Sequence, residues 1–280
     1  MRLIISLFFF VFYYKRGKNK IIDMNNKILL SLIPCLLFVT ACDFDGAYDS
    51  YANADSYTIL ENQAELGVDQ LTFDTLDVAW HKGNITIAST DTGTVSISEE
   101  KSDTPKDIYQ TRYLVYEKTL FIKFADSGVN LSRNLTKDLT IYINTTIESL
   151  AKLNYSINTT LGNISINGID AKSMRISTYQ GDVNLTKVSS PSPEVGVQRG
   201  NIYADDLLFT GIAELAANYG KIDLTLNAAI TGFIPDFRII DGTSVVYDVR
   251  FPEGDHFYGT HMAEDITLMI VLNHGDLIVF

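Results

Sequence analysis

Cysteine is almost absent: two in 280 residues are too few for a disulfide framework. Positive charge is scarce as well, with 22 Lys and Arg against 34 Asp and Glu and a net charge of −12. A nucleic-acid binder needs a basic stripe, so nucleic acid is excluded as a partner. The two apolar runs at the start, Leu3 to Tyr14 and Ile28 to Ala41, are shorter than the roughly 20 residues a helix needs to cross a bilayer. Beyond residue 41 no long segment follows a 3.6-residue period. The nearest candidates for a short helix are Asp205 to Tyr219, interrupted by Gly211, and Thr146 to Leu153. What is present is ordinary for a folded chain: 46% hydrophobic and 20% charged residues argue against disorder. The length allows one large β-domain or two ordinary ones.

Residues 1–41 differ from the rest. A basic stretch (Lys15, Arg16, Lys18, Lys20, Lys27) precedes the second apolar run, and small residues close it, which is the anatomy of a signal peptide. The run ends Phe38-Val39-Thr40-Ala41-Cys42. Val39, Thr40 and Ala41 before Cys42 resemble the lipobox of bacterial lipoproteins. That resemblance implies cleavage between Ala41 and Cys42 and a diacylglyceryl group, with palmitate-type chains, on the Cys42 thiol. Two acyl chains make a stable anchor where one binds only reversibly. Met24-Asn25-Asn26-Lys27 heads a complete signal peptide by itself, so Met24 is the expected start and Met1 the alternative. Removing 1–41 leaves 16 basic and 33 acidic residues and no thiol but Cys42. The expected location is the cell envelope, on the outer face of the cytoplasmic membrane, or the outer membrane in a two-membrane organism. An anionic body should stand off anionic lipid.

Residues 42–57 are small, polar and acidic, and read as the lipidated Cys and a flexible tether, the alternative being that its Tyr residues dock on the body. From about 58 to 280 the pattern is that of one β-repeat domain. Apolar and polar residues alternate in short runs such as Leu76-Val78-Trp80, Leu120-Ile122-Phe124 and Leu139-Ile141-Ile143, with Gly, Asn, Asp, Ser and Thr between them. Gly162-Asn163-Ile164-Ser165-Ile166 recurs at Gly181, Gly200 and Gly220, spaced 19, 19 and 20 residues apart. A late copy starts at Gly275, and an early one at Gly83, a distance before Gly162 close to four periods. The Gly supplies a positive φ at a tight turn. A 20-residue unit cannot bury an apolar face alone, so neighbours must stack. The fold class is therefore all-β, a β-solenoid or β-helix of strand-turn-strand repeats. An antiparallel sandwich is the alternative, above all for residues 58–145. The atypical ends, 71–145 and 232–280, read as caps, and 251–264 as an insertion.

The Gly-Asp/Asn-Ile/Val motif every 19–20 residues, with Asp138-Leu139-Thr140-Ile141-Tyr142-Ile143 leading into it, resembles the bacterial "putative adhesin" family of β-strand-repeat envelope proteins, a domain of unknown function. The resemblance covers roughly 71–280. It implies a non-catalytic domain and supplies no catalytic residues.

Residues with chemistry are few. His256 and His261, with Asp255, Glu264 and Asp265, lack a recognised metal-ligand spacing and read as a polar loop, so no metal or cofactor is expected. His81 reads as a strand end and His274 as a turn. No nucleophile elbow, P-loop or dinucleotide motif occurs. Asp205, Asp206 and Asp223 are the carboxylates a carbohydrate-active β-helix enzyme would use, but they read as solvated surface. Tyr109, Tyr113 and Tyr116 lie near one strand and suit core or edge cover better than ligand stacking. The function expected is that of a membrane-anchored, surface-displayed lipoprotein binding a glycan or protein. The alternative is an envelope scaffold or stress-sensing component with a membrane-protein partner.

Overall fold

The computed structural model describes residues 50–101, 106–131, 134–241, 245–247, 258–259 and 266–280. The leader, the Val39–Cys42 motif and the His256/His261 loop lie outside them. The chain enters through β1 (Thr58–Ile59) and β2 (Gln63–Leu66), then lays a first rung of β3 (Thr75–Lys82) and β4 (Ile85–Thr90). β5 (Val95–Lys101), β6 (Arg112–Tyr116), β7 (Thr119–Lys123) and β8 (Lys137–Asn144) follow. Four rungs then repeat in order. They are β9 (Asn154–Leu161) with β10 (Ile164–Asn167), β11 (Ser173–Gln180) with β12 (Val183–Thr186), β13 (Pro193–Arg199) with β14 (Ile202–Leu207), and β15 (Ile212–Tyr219) with β16 (Ile222–Leu226). The last strands are β17 (Gly232–Asp241), β18 (Val245–Tyr247), β19 (Tyr258–Gly259), β20 (Thr267–His274) and β21 (Leu277–Val279).

The first strand of each rung joins one sheet, in the order β1-β6-β7-β3-β9-β11-β13-β15-β20-β17-β19. The second strand joins a facing sheet, in the order β18-β21-β16-β14-β12-β10-β4-β8-β5-β2. Successive rungs pair parallel and in register: Ile164 lies opposite Ile85 on one side and Val183 on the other. The expected β-solenoid is what forms. Antiparallel pairing is confined to the ends, at β1–β6, β6–β7, β2–β5 and β5–β8 near the N-terminus and β17–β19 near the other end. These reversed strands interrupt the parallel register at the ends of the stack, and three of the edge strands, β1, β2 and β19, are only two to four residues long, which leaves little open edge for further pairing.

The core is a set of aliphatic ladders. Ile85, Ile164, Val183, Ile202, Ile222 and Leu277 stack down the second sheet, and Val78, Ile157, Ile176, Val195, Leu215 and Ile270 down the first, none more than 2% exposed. β-branched side chains dominate because they fit the pleated surface between stacked strands. Burying each aliphatic side chain is worth about 1.5–3 kcal/mol. A rung shares that gain only with its neighbours, which is why no rung stands alone.

The structure resolves the helix candidates and the long interval after Gly83. Residues 205–219 are the end of β14, a short connection at 208–211 and β15 rather than a helix, with alternate residues of β15 turned inward (Ala213, Leu215, Ala217). Of Thr146–Leu153, only Glu148–Leu150 coils, as one 3₁₀ turn. The interval from Gly83 to Gly162 holds no intervening rungs: β3 pairs directly with β9, and β4 with β10. The chain instead builds β5 to β8 on the far side of the first rung and returns. The order is also broken at the other end. β20 lies between β15 and β17, and β21 between β16 and β18, so a later segment fills a gap between two earlier ones.

Candidate functional site

The repeat motif is explained at the corner between the sheets. Gly83, Gly162, Gly181, Gly200, Gly220 and Gly275 form one column, with φ between +114° and +154°. A Cβ on Gly181 would sit 2.1 Å from the Gly162 carbonyl oxygen, and one on Gly220 1.8 Å from that of Gly200. The second motif position has an equally physical reason. The Asn163 amide donates to the Asn84 side-chain oxygen (3.2 Å), Asp182 to Asn163 (2.8 Å), Asn201 to Asp182 (2.8 Å) and Lys221 to Asn201 (2.8 Å). Asp138 starts the series by accepting from the Asn84 amide (2.7 Å). Only a short side chain with an oxygen reaches the next amide, hence Asp or Asn after Gly83, Gly162, Gly181, Gly200 and Gly275, while Lys221 after Gly220 donates its amide and carries no such acceptor.

The two outer faces differ in chemistry. On the first sheet, charges face one another. Lys123 meets Asp77 at 2.6 Å, Arg175 meets Glu194 at 2.7 Å, and Arg238 meets Asp236 at 3.1 Å. Glu214 stands opposite Glu194 in register. Burial, and then the Glu194 charge, push its carboxyl above the usual range, against a smaller pull from Arg175. On the second sheet the outward rows are hydroxyls and amides. One runs Ser98, Thr140, Thr86, Ser165, Asn184, Tyr203 across six strands. Two residues along each strand, the other runs Ser96, Tyr142, Ala88, Asn167, Thr186.

The N-terminal end carries a buried ionic group. Lys137 and Glu99 are fully buried, with Nζ and Oε2 3.6 Å apart. Lys137 donates to the Thr111 hydroxyl (2.8 Å), the Tyr109 carbonyl (3.0 Å) and the Phe124 carbonyl, while Thr111 donates to Glu99. Its ammonium lies 4.1 Å from the Phe124 ring centre and 5.2 Å from that of Trp80. Nothing in the sequence pattern signalled this group, because β8 reads as an ordinary alternating strand. Within the described part of the expected tether, Tyr51 and Tyr57 lie against the body. Tyr51 donates its hydroxyl to the Ala125 carbonyl (2.9 Å), and its ring meets Tyr57 at 4.8 Å. Burial pushes both phenols up to about 12, aided by the Asp126 charge at Tyr51 and the Asp77 charge at Tyr57.

The other singled-out residues do not converge. Asp223 pairs with Lys221 at 2.6 Å. Asp206, at φ +63°, accepts from Asn227 at 2.5 Å, and Asp205 is exposed on the same strand. His81 packs edge-on against Phe124, and burial, then Lys82, lower its imidazole. His274 stacks on Tyr219 at 4.7 Å. Tyr113 packs on the core, Tyr116 is exposed, and Tyr109 lies on a separate 3₁₀ turn. Among the described residues no three His, Cys, Asp or Glu side chains gather as metal ligands, and no helix is long and apolar enough to cross a membrane.

The profile of the family described as Toastrack DUF4097 matches residues 61–279. Three solved structures are similar to the chain. One, from Bacteroides fragilis and named a "putative adhesin", is 13% identical with a TM-score of 0.44, over 80% of this chain and 97% of that one. A "putative cell adhesion protein" from Clostridium sporogenes is 12% identical with a TM-score of 0.39, over 79% and 99%. A "putative adhesin" from Parabacteroides distasonis is 9% identical with a TM-score of 0.33, over 79% and 97%. No curated protein matches.

Proposed function

We propose, given that the chain belongs to the Toastrack DUF4097 family, that it is a lipid-anchored envelope protein whose β-solenoid displays a non-catalytic binding surface outside the cell. One observation carries the reading. The apolar ladders are spent inside the stack, and the outer sheet faces are regular rows of polar side chains set by the rung spacing. A rigid frame that repeats side chains at about 4.8 Å suits recognition of an extended partner. The non-catalytic reading is supported by the carboxylates themselves: Asp223 is tied to Lys221 and Asp206 to Asn227. The anchor is supported by the Val39-Thr40-Ala41-Cys42 motif after a basic stretch and an apolar run. On this reading Cys42 carries the diacylglyceryl group, residues from 43 onward join it to the body, and the protein faces outward from the cytoplasmic or outer membrane.

Intact mass and membrane fractionation of the native protein beside Cys42→Ala test it. The native protein should partition with membranes and carry the lipid mass on an N-terminal Cys42, and the variant should be released. A native protein that is soluble with an unmodified Cys42 would refute the anchor.

A further inference from the structure

We infer that the outer face of the second sheet, from β5 to β14, is the ligand face, and that its ligand is an extended, uncharged polysaccharide. The inference rests on the display reading and adds the face and the chemistry.

Four observations lead there. First, the hydroxyls and amides of this face, among them Thr86, Ser165, Asn184 and Thr186, have no hydrogen-bond partner among the described residues. They give up only water on binding. The opposite face carries charges already paired with one another, Lys123 with Asp77 and Arg175 with Glu194. Second, the two rows between β5 and β14 contain no Lys or Arg, and they end at Asp205 and the Asp223–Lys221 pair on one side and Glu65 on the other. Such a face offers neither a polyanion nor a polycation an opposite charge in its centre. A neutral polyhydroxylated chain needs none. Third, the face presents two exposed rings, Tyr142 at 46% and Tyr203 at 36%. A phenol ring stacks on the apolar face of a pyranose and keeps its hydroxyl for a hydrogen bond. Fourth, the rings lie on β8 and β14, four strand intervals apart, about 19 Å along the stack. One strand interval is close to one pyranose unit, so the ligand runs along the stack and slants from the row of Tyr203 to that of Tyr142. A chain of about four or five units reaches both rings.

The test uses the purified chain carrying Cys42→Ala. It is applied to immobilised β-glucan, xylan, mannan and galactan beside alginate and heparin, then titrated with the trisaccharide and hexasaccharide of the polymer that binds. Binding to a neutral polymer and not to alginate or heparin is expected, with the hexasaccharide far tighter than the trisaccharide. Tyr142→Ala and Asn184→Lys, both outward-facing, should keep the melting temperature and weaken binding about tenfold or more. Arg175→Ala combined with Glu194→Ala on the other face should leave affinity unchanged. Three results overturn the inference: no neutral polymer bound, alginate or heparin bound as well, or Asn184→Lys binding like its parent. A membrane-tethered protein that binds none of the four sinks the ligand assignment alone. A soluble protein with unmodified Cys42 that still binds sinks the display reading alone.

Discussion

Replacing Gly181 by Ala tests the corner column. The new Cβ would stand 2.1 Å from the Gly162 oxygen and 2.5 Å from its carbon. Both are backbone atoms, so no side chain can swing aside. Even a tight contact near 3.0 Å needs the two rungs to part by about 1 Å at this corner. The hydrogen bond from the Asp182 amide to Asn163 is 2.8 Å and that from the Gly181 amide to Arg199 is 3.0 Å. Strain of that size takes the first beyond hydrogen-bonding range. An L-residue at φ +142° costs about 1–3 kcal/mol by itself, and each lost bond adds about 0.5–1.5 kcal/mol. The total is about 1.5–4.5 kcal/mol, a large part of the roughly 5–15 kcal/mol that holds a domain folded. Gly93→Ala is the control. Its φ is also positive, at +67°, but its Cβ would meet only the end of the Glu65 side chain. It should cost about 1–2 kcal/mol. Urea unfolding of the Cys42→Ala chain and both variants measures the difference. Hydrogen exchange at β11 and β13 shows whether the loss is local, as expected for a stack coupled only through neighbours. If Gly181→Ala unfolds at the same urea concentration as Gly93→Ala, close backbone approach is not what selects Gly.

Other outcomes follow from other parts of the stack. Lys137→Met strands a fully buried Glu99 and should cost about 3–5 kcal/mol, while Lys137→Met with Glu99→Gln should recover much of it; equal losses in urea would refute the pairing. The Tyr51 and Tyr57 phenols are raised from 10.0 to about 12, so the folded state holds their protons longer than the unfolded state. Their contribution to docking is full below pH 10 and is lost as pH rises through 12, and absorbance at 295 nm with proteolysis at residues 50–57 should show coincident steps. Glu214 is raised for the same sign reason: its ionisation opposes folding as pH climbs past the unfolded value. Glu214→Gln should therefore raise the melting temperature at pH 7 and lose that advantage in acid, and an advantage that grows in acid would contradict the assignment.

The solenoid was legible because the two demands of its corner fall on adjacent residues. Gly181-Asp182 and Gly200-Asn201 each need no Cβ first and a short acceptor second, and the glycine recurs at every one of these corners with the acceptor at all but Gly220-Lys221. The route between rungs was not legible. Gly83 and Gly162 touch across the stack, yet 79 residues separate them, and periodicity counts residues rather than contacts. The placement of β17 and β18 escaped for a related reason. They form the outermost rung, with one rung neighbour instead of two, so the motif there is under less constraint. The neutral face was hidden in a different way. Thr86, Ser165, Asn184 and Thr186 are what any exposed strand face carries, and their alignment exists only once the register is known. The Lys137–Glu99 group needs β5 and β8 side by side, which no local pattern specifies.

The broken order of the last rungs bears on how the chain is made. Synthesis from the N-terminus delivers β15, β16, β17 and β18 before β20 and β21 exist. The space that β20 and β21 will take must then be empty, or be closed by a temporary pairing of β17 on β15 that has to be undone. The final stack is reached only when Thr267–Val279 arrives and slots between two surfaces already formed. Ribosomes stalled before Thr267 would hold a body with an open inner seam rather than a shorter copy of the finished stack. Ending the chain there removes an inner shelf and leaves β17 and β18 with nothing native to lie on.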